Sequence, residues 1–405
     1  MTGMKKFDWA TFILLAVILL IGVLIIFTAS TQIIGDEFVS KNYYIKQSIW
    51  IAISLLVLYF LLKIPYTVID TLILPLYIIN ILMLITVLFL PAIKGAQRWF
   101  QLGPISFQPS ELAKILTILL IAKSISKPNL SDFQILARTI IIFLIPAILI
   151  LAEPDLGTVI VMGMSVLAIL AASNLPMYFL ILLISPIFSI IFSFSMSLFI
   201  IYIILLVVVL YKSNLKGIII GFATVINTFI FFITPILWNG LKEYQQNRIL
   251  TFLNPLRDPL GSGYQIIQSK IAIGSGTVTG KGFLMGTQKN LNFLPEHHTD
   301  FIFSVIGEEF GFFGCLILLT LYFLFLIRMA HQIRKLKHKE MYFTAVGIIT
   351  FIAFQAFVNI GMNIGLVPTT GIPLPFLSYG GSNLLINVIA VGLVLKFIKE
   401  QSIFL

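Results

Sequence analysis

Apolar runs long enough to cross a bilayer recur along the chain, separated by short polar turns. A helix needs roughly 20 apolar residues to cross about 30 Å of hydrocarbon at 1.5 Å per residue. Such runs fall at 9–30, 45–62, 71–91, 110–125, 138–152, 156–173, 176–194, 196–211, 217–238, 301–327, 341–361 and 383–399. The run at 138–152 is short and depends on its flanks. Leu156–Tyr211 holds no charged residue; as one helix it would measure about 84 Å, so it folds back. Three passes put Lys212 and Lys216 on the side of Lys5, Lys6 and the basic cluster Arg328, Arg334, Lys335, Lys337 and Lys339, whereas two would export that cluster. Cytoplasmic loops carry the excess of Lys and Arg, which selects three. The pattern predicts an all-α polytopic integral membrane protein, one membrane domain over 1–405. It has about twelve transmembrane helices, cytoplasmic termini and one long extracellular loop at 239–300.

Composition agrees and removes other classes. With 59% hydrophobic and 10% charged residues and a mean hydropathy of +1.06, the chain is no water-soluble globule, where about a quarter of residues are charged. The net charge of +10 is topological: on the predicted topology 15 of the 26 Lys and Arg residues are cytoplasmic, and nucleic acid is not an expected partner. The single cysteine, Cys315, excludes an intramolecular disulfide framework. The run at 9–30 reads as a retained span with no signal peptide.

Chemistry is then sought in the external polar segments. In Gln108-Pro109-Ser110-Glu111-Leu112-Ala113-Lys114, Ser110 can cap the fourth span, and Glu111 and Lys114 lie on one helical face where they can pair. An ionisable residue inside a span marks function by default; the structural reading is an ion pair that fixes helix packing. For Arg98-Trp99 the structural reading is an interfacial anchor, and the functional one has Arg98 on a phosphate and Trp99 on a sugar. A short acidic turn, Glu153-Pro154-Asp155-Leu156-Gly157, also faces outward. In the long loop, 265–273 alternates as a surface-lying helix would. Gly274 to Gly286 then offers glycines that can cradle phosphate, with Lys281 and Lys289 for charge.

The loop ends at Glu296-His297-His298-Thr299-Asp300, where the chain re-enters the membrane. Thr299 or Asp300 could serve as an N-cap. Alternatively Asp300, partly desolvated at the membrane surface, is a general base, and at helical spacing it shares roughly one face with Ser304 and Glu308. A metal held by Glu296, His298 and Asp300 lacks any recognised zinc spacing. Pro368–Asn383 is a charge-free re-entry loop expected to shape a cavity wall.

At these motifs the chain resembles the SEDS family (shape, elongation, division and sporulation) of membrane peptidoglycan polymerases. The resemblance rests on Gly95-Ala96-Gln97-Arg98-Trp99 with Gln108-Pro109-Ser110-Glu111, on Glu153-Pro154-Asp155-Leu156-Gly157-Thr158, on the tract from Asp258 through Gly314, and on Gly371-Ile372-Pro373-Leu374-Pro375-Phe376-Leu377-Ser378-Tyr379-Gly380-Gly381-Ser382. Ile266 to Gly276 and Gly371-Ile372-Pro373 look more like the RodA elongation branch than the FtsW division branch. Family members generally have ten spans, so 176–211 is expected to be an extra hairpin. The resemblance aligns the family's essential aspartate with Asp300 and its tryptophan with Trp99. His298 matches the family pattern, whereas His297 departs from it.

The resemblance implies a glycosyltransferase that polymerises lipid II into β-1,4-linked glycan at the outer face of the bacterial cytoplasmic membrane. It would work with a class B penicillin-binding transpeptidase and other elongation-machinery membrane proteins. Asp300 is then the expected base, and Trp99, Arg98, Glu111, Lys114, Lys270, Lys281, His298 and Ser378 the expected substrate-binding residues. A divalent cation, Mg or Mn, would assist departure of the pyrophosphate. The rivals are a lipid II flippase, which requires a polar path across the bilayer, and a non-catalytic scaffold for the transpeptidase.

Overall fold

The computed structural model describes residues 7–34, 37–91, 97–103, 105–213, 215–241, 243–259, 261, 263–290 and 298–401. The chain opens with α1 (Trp9–Ser30), a hairpin of β1 (Thr31–Ile34) and β2 (Glu37–Ser40), then α2 (Tyr43–Leu61) and α3 (Tyr66–Val87). A second hairpin, β3 (Phe100–Leu102) and β4 (Ile105–Phe107), precedes α4 (Pro109–Ile125), α5 (Asp132–Ala152) and α6 (Leu156–Ala172). Next come α7 (Met177–Phe192), α8 (Met196–Lys212) and α9 (Gly217–Gly240). The long loop carries α10 (Glu243–Leu253), α11 (Tyr264–Ser275) and the single turn α12 (Thr287–Asn290). The chain closes with α13 (Ile302–Ile333), α14 (Lys339–Ile364) and α15 (Gly381–Gln401).

Eight of these helices are long and apolar enough to span a bilayer, and α6, α7 and α8 are shorter apolar helices. Adding α4, whose two inward charges pair with each other, gives the twelve spans predicted from the hydropathy pattern. Boundaries move where capping chemistry outranks apolarity. Helix α5 starts at Asp132, ahead of its apolar run, because Ser131 and Gln134 form a capping box. Helix α4 starts at Pro109 with Gln108 as N-cap, so Ser110 lies in the first turn and is not the cap. Helix α13 runs on to Ile333, and its Arg328 pairs with Asp8 at 2.8 Å.

Successive spans alternate in direction, so the ends of α1, α3, α5, α7, α9 and α14 share one face. Cross-links at both ends agree with this. On one face Gln47 donates to Ser378 O and Arg98 to Glu153 O. On the other, Tyr66 donates to Glu340 and Lys123 pairs with Asp70. One apolar core unites α1, α4, α6, α13, α14 and α15. Helices α7, α8 and α9 have a smaller core of their own around Leu206, Leu210 and Ala223. There Asn227 accepts from Ser189 Oγ at 2.6 Å and Tyr202 Oη at 3.2 Å and donates to Ser185 Oγ at 3.1 Å.

Within the long loop, helix α11 packs one face, Ile266, Ser269 and Ala272, against the bundle, while Lys270 and Ile271 stay exposed. One expectation changes: the glycine run is no phosphate cradle. Gly311 (φ 63°) breaks α13. Across the break Lys281 N donates to Glu308 O, Gly282 N to Glu309 O and Phe312 N to Thr277 O, each at 3.0 Å. A Cβ on Gly276 or Gly280 would strike the carbonyl oxygens of Gly307 or Glu309, so these glycines let the loop reach the backbone of α13.

Candidate active site

Asp300 lies just before α13, half-buried, in a turn held from three directions. Its carbonyl accepts from Asn359 Nδ2 at 2.9 Å and Asn363 Nδ2 at 3.0 Å. The preceding carbonyl, of Thr299, accepts from Ser378 Oγ at 2.5 Å, and Tyr379 N donates to His298 O at 3.0 Å. The His298 ring stacks on Tyr43, centroids 4.5 Å apart. Phe301 is the N-cap of α13 and offers no side-chain cap, so neither Thr299 nor Asp300 takes the capping position. The Asp300 carboxylate instead faces the 371–373 segment: a Cβ built on Gly371 (φ 70°) would sit 3.5 Å from its Oδ2. Asp300, Ser304 and Glu308 do not work as one stripe. Ser304 Oγ meets Ser269 Oγ and Asn363 Oδ1, each at 2.6 Å, and Glu308 binds the 281–288 loop.

The same segment joins Asp300 to the ion pair of α4. Lys114 Nζ lies 2.8 Å from Glu111 Oε2, both side chains nearly sealed from solvent. Glu111 also accepts from Asn383 at 2.8 Å, and Lys114 reaches Gln355 Oε1 at 3.5 Å. Gln355 in turn donates to Pro373 O at 3.0 Å, and Asn359 to Ile372 O at 2.7 Å. A buried pair persists only when its remaining donors and acceptors are satisfied, and these amides satisfy them.

A third arm arrives from the acidic turn. Asp155 caps α6 by accepting from Thr158 N at 3.2 Å, and it takes the Gln108 amide at 3.0 Å. Gly157 allows this turn to abut the 370–372 backbone, since a Cβ there would lie 2.9 Å from Ile372 Cγ1. Arg98 donates to the carbonyls of Glu153, at 2.7 Å, and Pro154, and the next residue, Trp99, is half-buried. The Glu153 carboxyl is fully buried with both oxygens unpartnered. Burial, reinforced by Asp155 and partly offset by Arg98, pushes it up to about 8.

Asp300, Glu111, Lys114, His298 and Ser378 are therefore linked through the 371–383 segment, and Arg98 holds the 153–154 turn that abuts it. Lys270 is exposed and lies over Gly365 at the end of α14. Lys281 does not offer its charge freely, since its ammonium is 2.6 Å from Glu308 Oε1. Glu308 also accepts from Thr287 N at 2.8 Å, so this pair latches the loop. Gly95, Ala96, Glu296 and His297 lie outside the described residues, as does the Lys289 side chain. Among the described residues no three His, Cys, Asp or Glu side chains gather to hold a metal. Sequence reasoning missed Gln355, Asn359 and Asn363, though their i, i+4, i+8 spacing along an apolar helix was readable as one polar stripe.

A family model described as "Cell cycle protein", covering FtsW, RodA and SpoVE, matches residues 8–199 and 182–403. The chain belongs to the FtsW/RodA/SpoVE family. This SEDS member is 38% identical over 396 residues to the peptidoglycan glycosyltransferase MrdB of Escherichia coli K12, covering 96% of this chain and 92% of MrdB. It is 30% identical over 401 residues to a probable peptidoglycan glycosyltransferase FtsW of Geobacter metallireducens, covering 97% and 94%. Among solved structures, a chain of a peptidoglycan synthase complex that coordinates polymerization and crosslinking aligns over 98% of both chains, with TM-score 0.73 and 28% identity. Thermus thermophilus RodA aligns over 98% of this SEDS chain and 97% of its own, with TM-score 0.63 and 25% identity.

Proposed function

We propose that this chain polymerises lipid II into β-1,4-linked glycan strands at the outer face of a bacterial cytoplasmic membrane, in cell elongation, with Asp300 as general base. Relatives matching nearly the whole chain are named peptidoglycan glycosyltransferases, and this multi-pass membrane protein is one too. The observation that carries the residue-level reading is the clamp on Asp300. Two buried amides and a buried serine fix its backbone and leave its carboxylate toward Gly371, in the segment that Gln355 ties to Lys114.

An α-linked diphosphate donor that yields a β-glycan must react with inversion, by one in-line displacement. The incoming 4-hydroxyl of the acceptor sugar loses its proton as it attacks, and the pyrophosphate departs from the other side. Asp300 is assigned the proton, as the base is in other inverting sugar chemistry. Lys270, exposed beside Gly365, is proposed as a loop cation for the departing anion, because the Lys281 ammonium is held by Glu308. A divalent cation, Mg or Mn, is proposed to neutralise the departing pyrophosphate. Thirteen of the described basic residues fall on the face opposite Asp300 in the alternating arrangement, which supports cytoplasmic termini and an external site.

We also read 176–211 as an insertion, supported by the separate core of α7–α9 and by two family matches that overlap at 182–199. A class B penicillin-binding transpeptidase is the proposed partner. Purified protein given labelled lipid II, with and without that transpeptidase, should produce glycan resolvable by length. Lipid II translocation in vesicles without any polymer would replace this reading with a flippase.

A further inference from the structure

A second concentration of charge lies on the face opposite Asp300. A cavity of about 420 Å³ opens there between Asp70 of α3, Lys123 and Lys127 at the end of α4, and Lys337, Lys339 and Glu340 at the start of α14. Four lysines face two carboxylates in it. Asp70 pairs with Lys123 at 2.7 Å, and Glu340 accepts from Tyr66 Oη at 2.6 Å. Among the described residues no carboxylate engages Lys127 or Lys339, and both are exposed. The recess is therefore net positive. Helix α14 starts in its wall, and the N-cap residue His338 supplies no side-chain cap, so the partial positive charge of a helix N-terminus adds to that of the lysines.

We propose that this recess binds the phosphate headgroup of an anionic phospholipid, with the acyl chains lying along α3. Orientation alone requires only that basic residues be numerous on this face; it does not require them to converge from distant segments on a cavity. Lys127 and Lys339 are separated by about half of the chain in sequence and meet here because α4 ends where α3 and α14 start. Basic pockets between spans are the form that headgroup sites take. A lipid is favoured over a soluble phosphate by position: the recess sits where the spans end, and α3 continues from it with Val68 42% and Leu72 46% exposed, an apolar flank for acyl chains.

The test is binding of fluorescent phosphatidylglycerol to the full-length protein in neutral detergent, competed by unlabelled phosphatidylglycerol, phosphatidylcholine or glycerol phosphate. Phosphatidylglycerol should outcompete phosphatidylcholine by at least about fivefold. The double variant Lys127→Gln with Lys339→Gln should lose that preference. Lys212→Gln with Lys216→Gln, which removes equal charge from the same face outside the recess, should keep it. All four side chains are exposed, so neither double variant disturbs the core. Equal losses in both variants would assign the effect to diffuse surface charge and overturn the site. Displacement by glycerol phosphate as effective as by phosphatidylglycerol would overturn the lipid assignment, and so would absence of any lipid preference.

Discussion

Glu153 is a carboxyl whose folded environment opposes its charge. It is fully buried and unpartnered, and its pKa rises from 4.5 to about 8. Below pH 4.5 the group is neutral folded and unfolded, and no penalty arises. As pH rises from there the unfolded chain ionises first, so folding loses stability through the window that ends near pH 8. Glu153→Gln should therefore melt higher than wild type at pH 8, with the gap closing toward pH 4.5; a constant gap across that range would refute the assignment. The Glu111–Lys114 pair behaves oppositely, because each charge depends on the other inside the bundle. Lys114→Met alone should cost about 3–5 kcal/mol by leaving Glu111 uncompensated. Pairing it with Glu111→Leu should recover much of that loss in detergent-based unfolding.

Helix α14 shows what apolar patterning conceals. Each pass through hydrocarbon must be apolar over roughly 20 residues, which is why all twelve passes could be placed from hydropathy. Charges interrupt or bound such runs visibly, so Glu111, Lys114 and Asp300 stand out. Neutral amides do not: Gln355 and Asn359 read as ordinary span, and Asn363 lies just past its predicted end. They are nonetheless what orients the site, since two of them hold the Asp300 carbonyl. Asn363→Leu should lower kcat by about 100-fold, the cost of an ångström-scale misplacement, with KM nearly unchanged; a change confined to KM would contradict the positioning role. Lys281 failed in the other direction. A lysine among glycines reads as an anion contact, and only the fold reveals Glu308, 27 residues further on, as its partner.

The bundle divides its work between its two ends and between two packing units. Its larger core carries the candidate site at one end and the lysine-lined recess at the other, while α7–α9 close around Asn227. The end of α6 and the start of α9 lie on one face, so removing residues 177–212 preserves the direction of every remaining span. With Asn227→Leu added to avoid stranding its amide, that deletion should retain glycan synthesis; complete loss in a protein that still folds would tie the hairpin to catalysis. Whether Asp300 is the base is decided by polymer synthesis from purified lipid II by wild type and Asp300→Asn, each with its melting temperature recorded. Asp300→Asn should make no glycan at an unchanged melting temperature, and glycan of normal length from that variant would exclude Asp300 as the base.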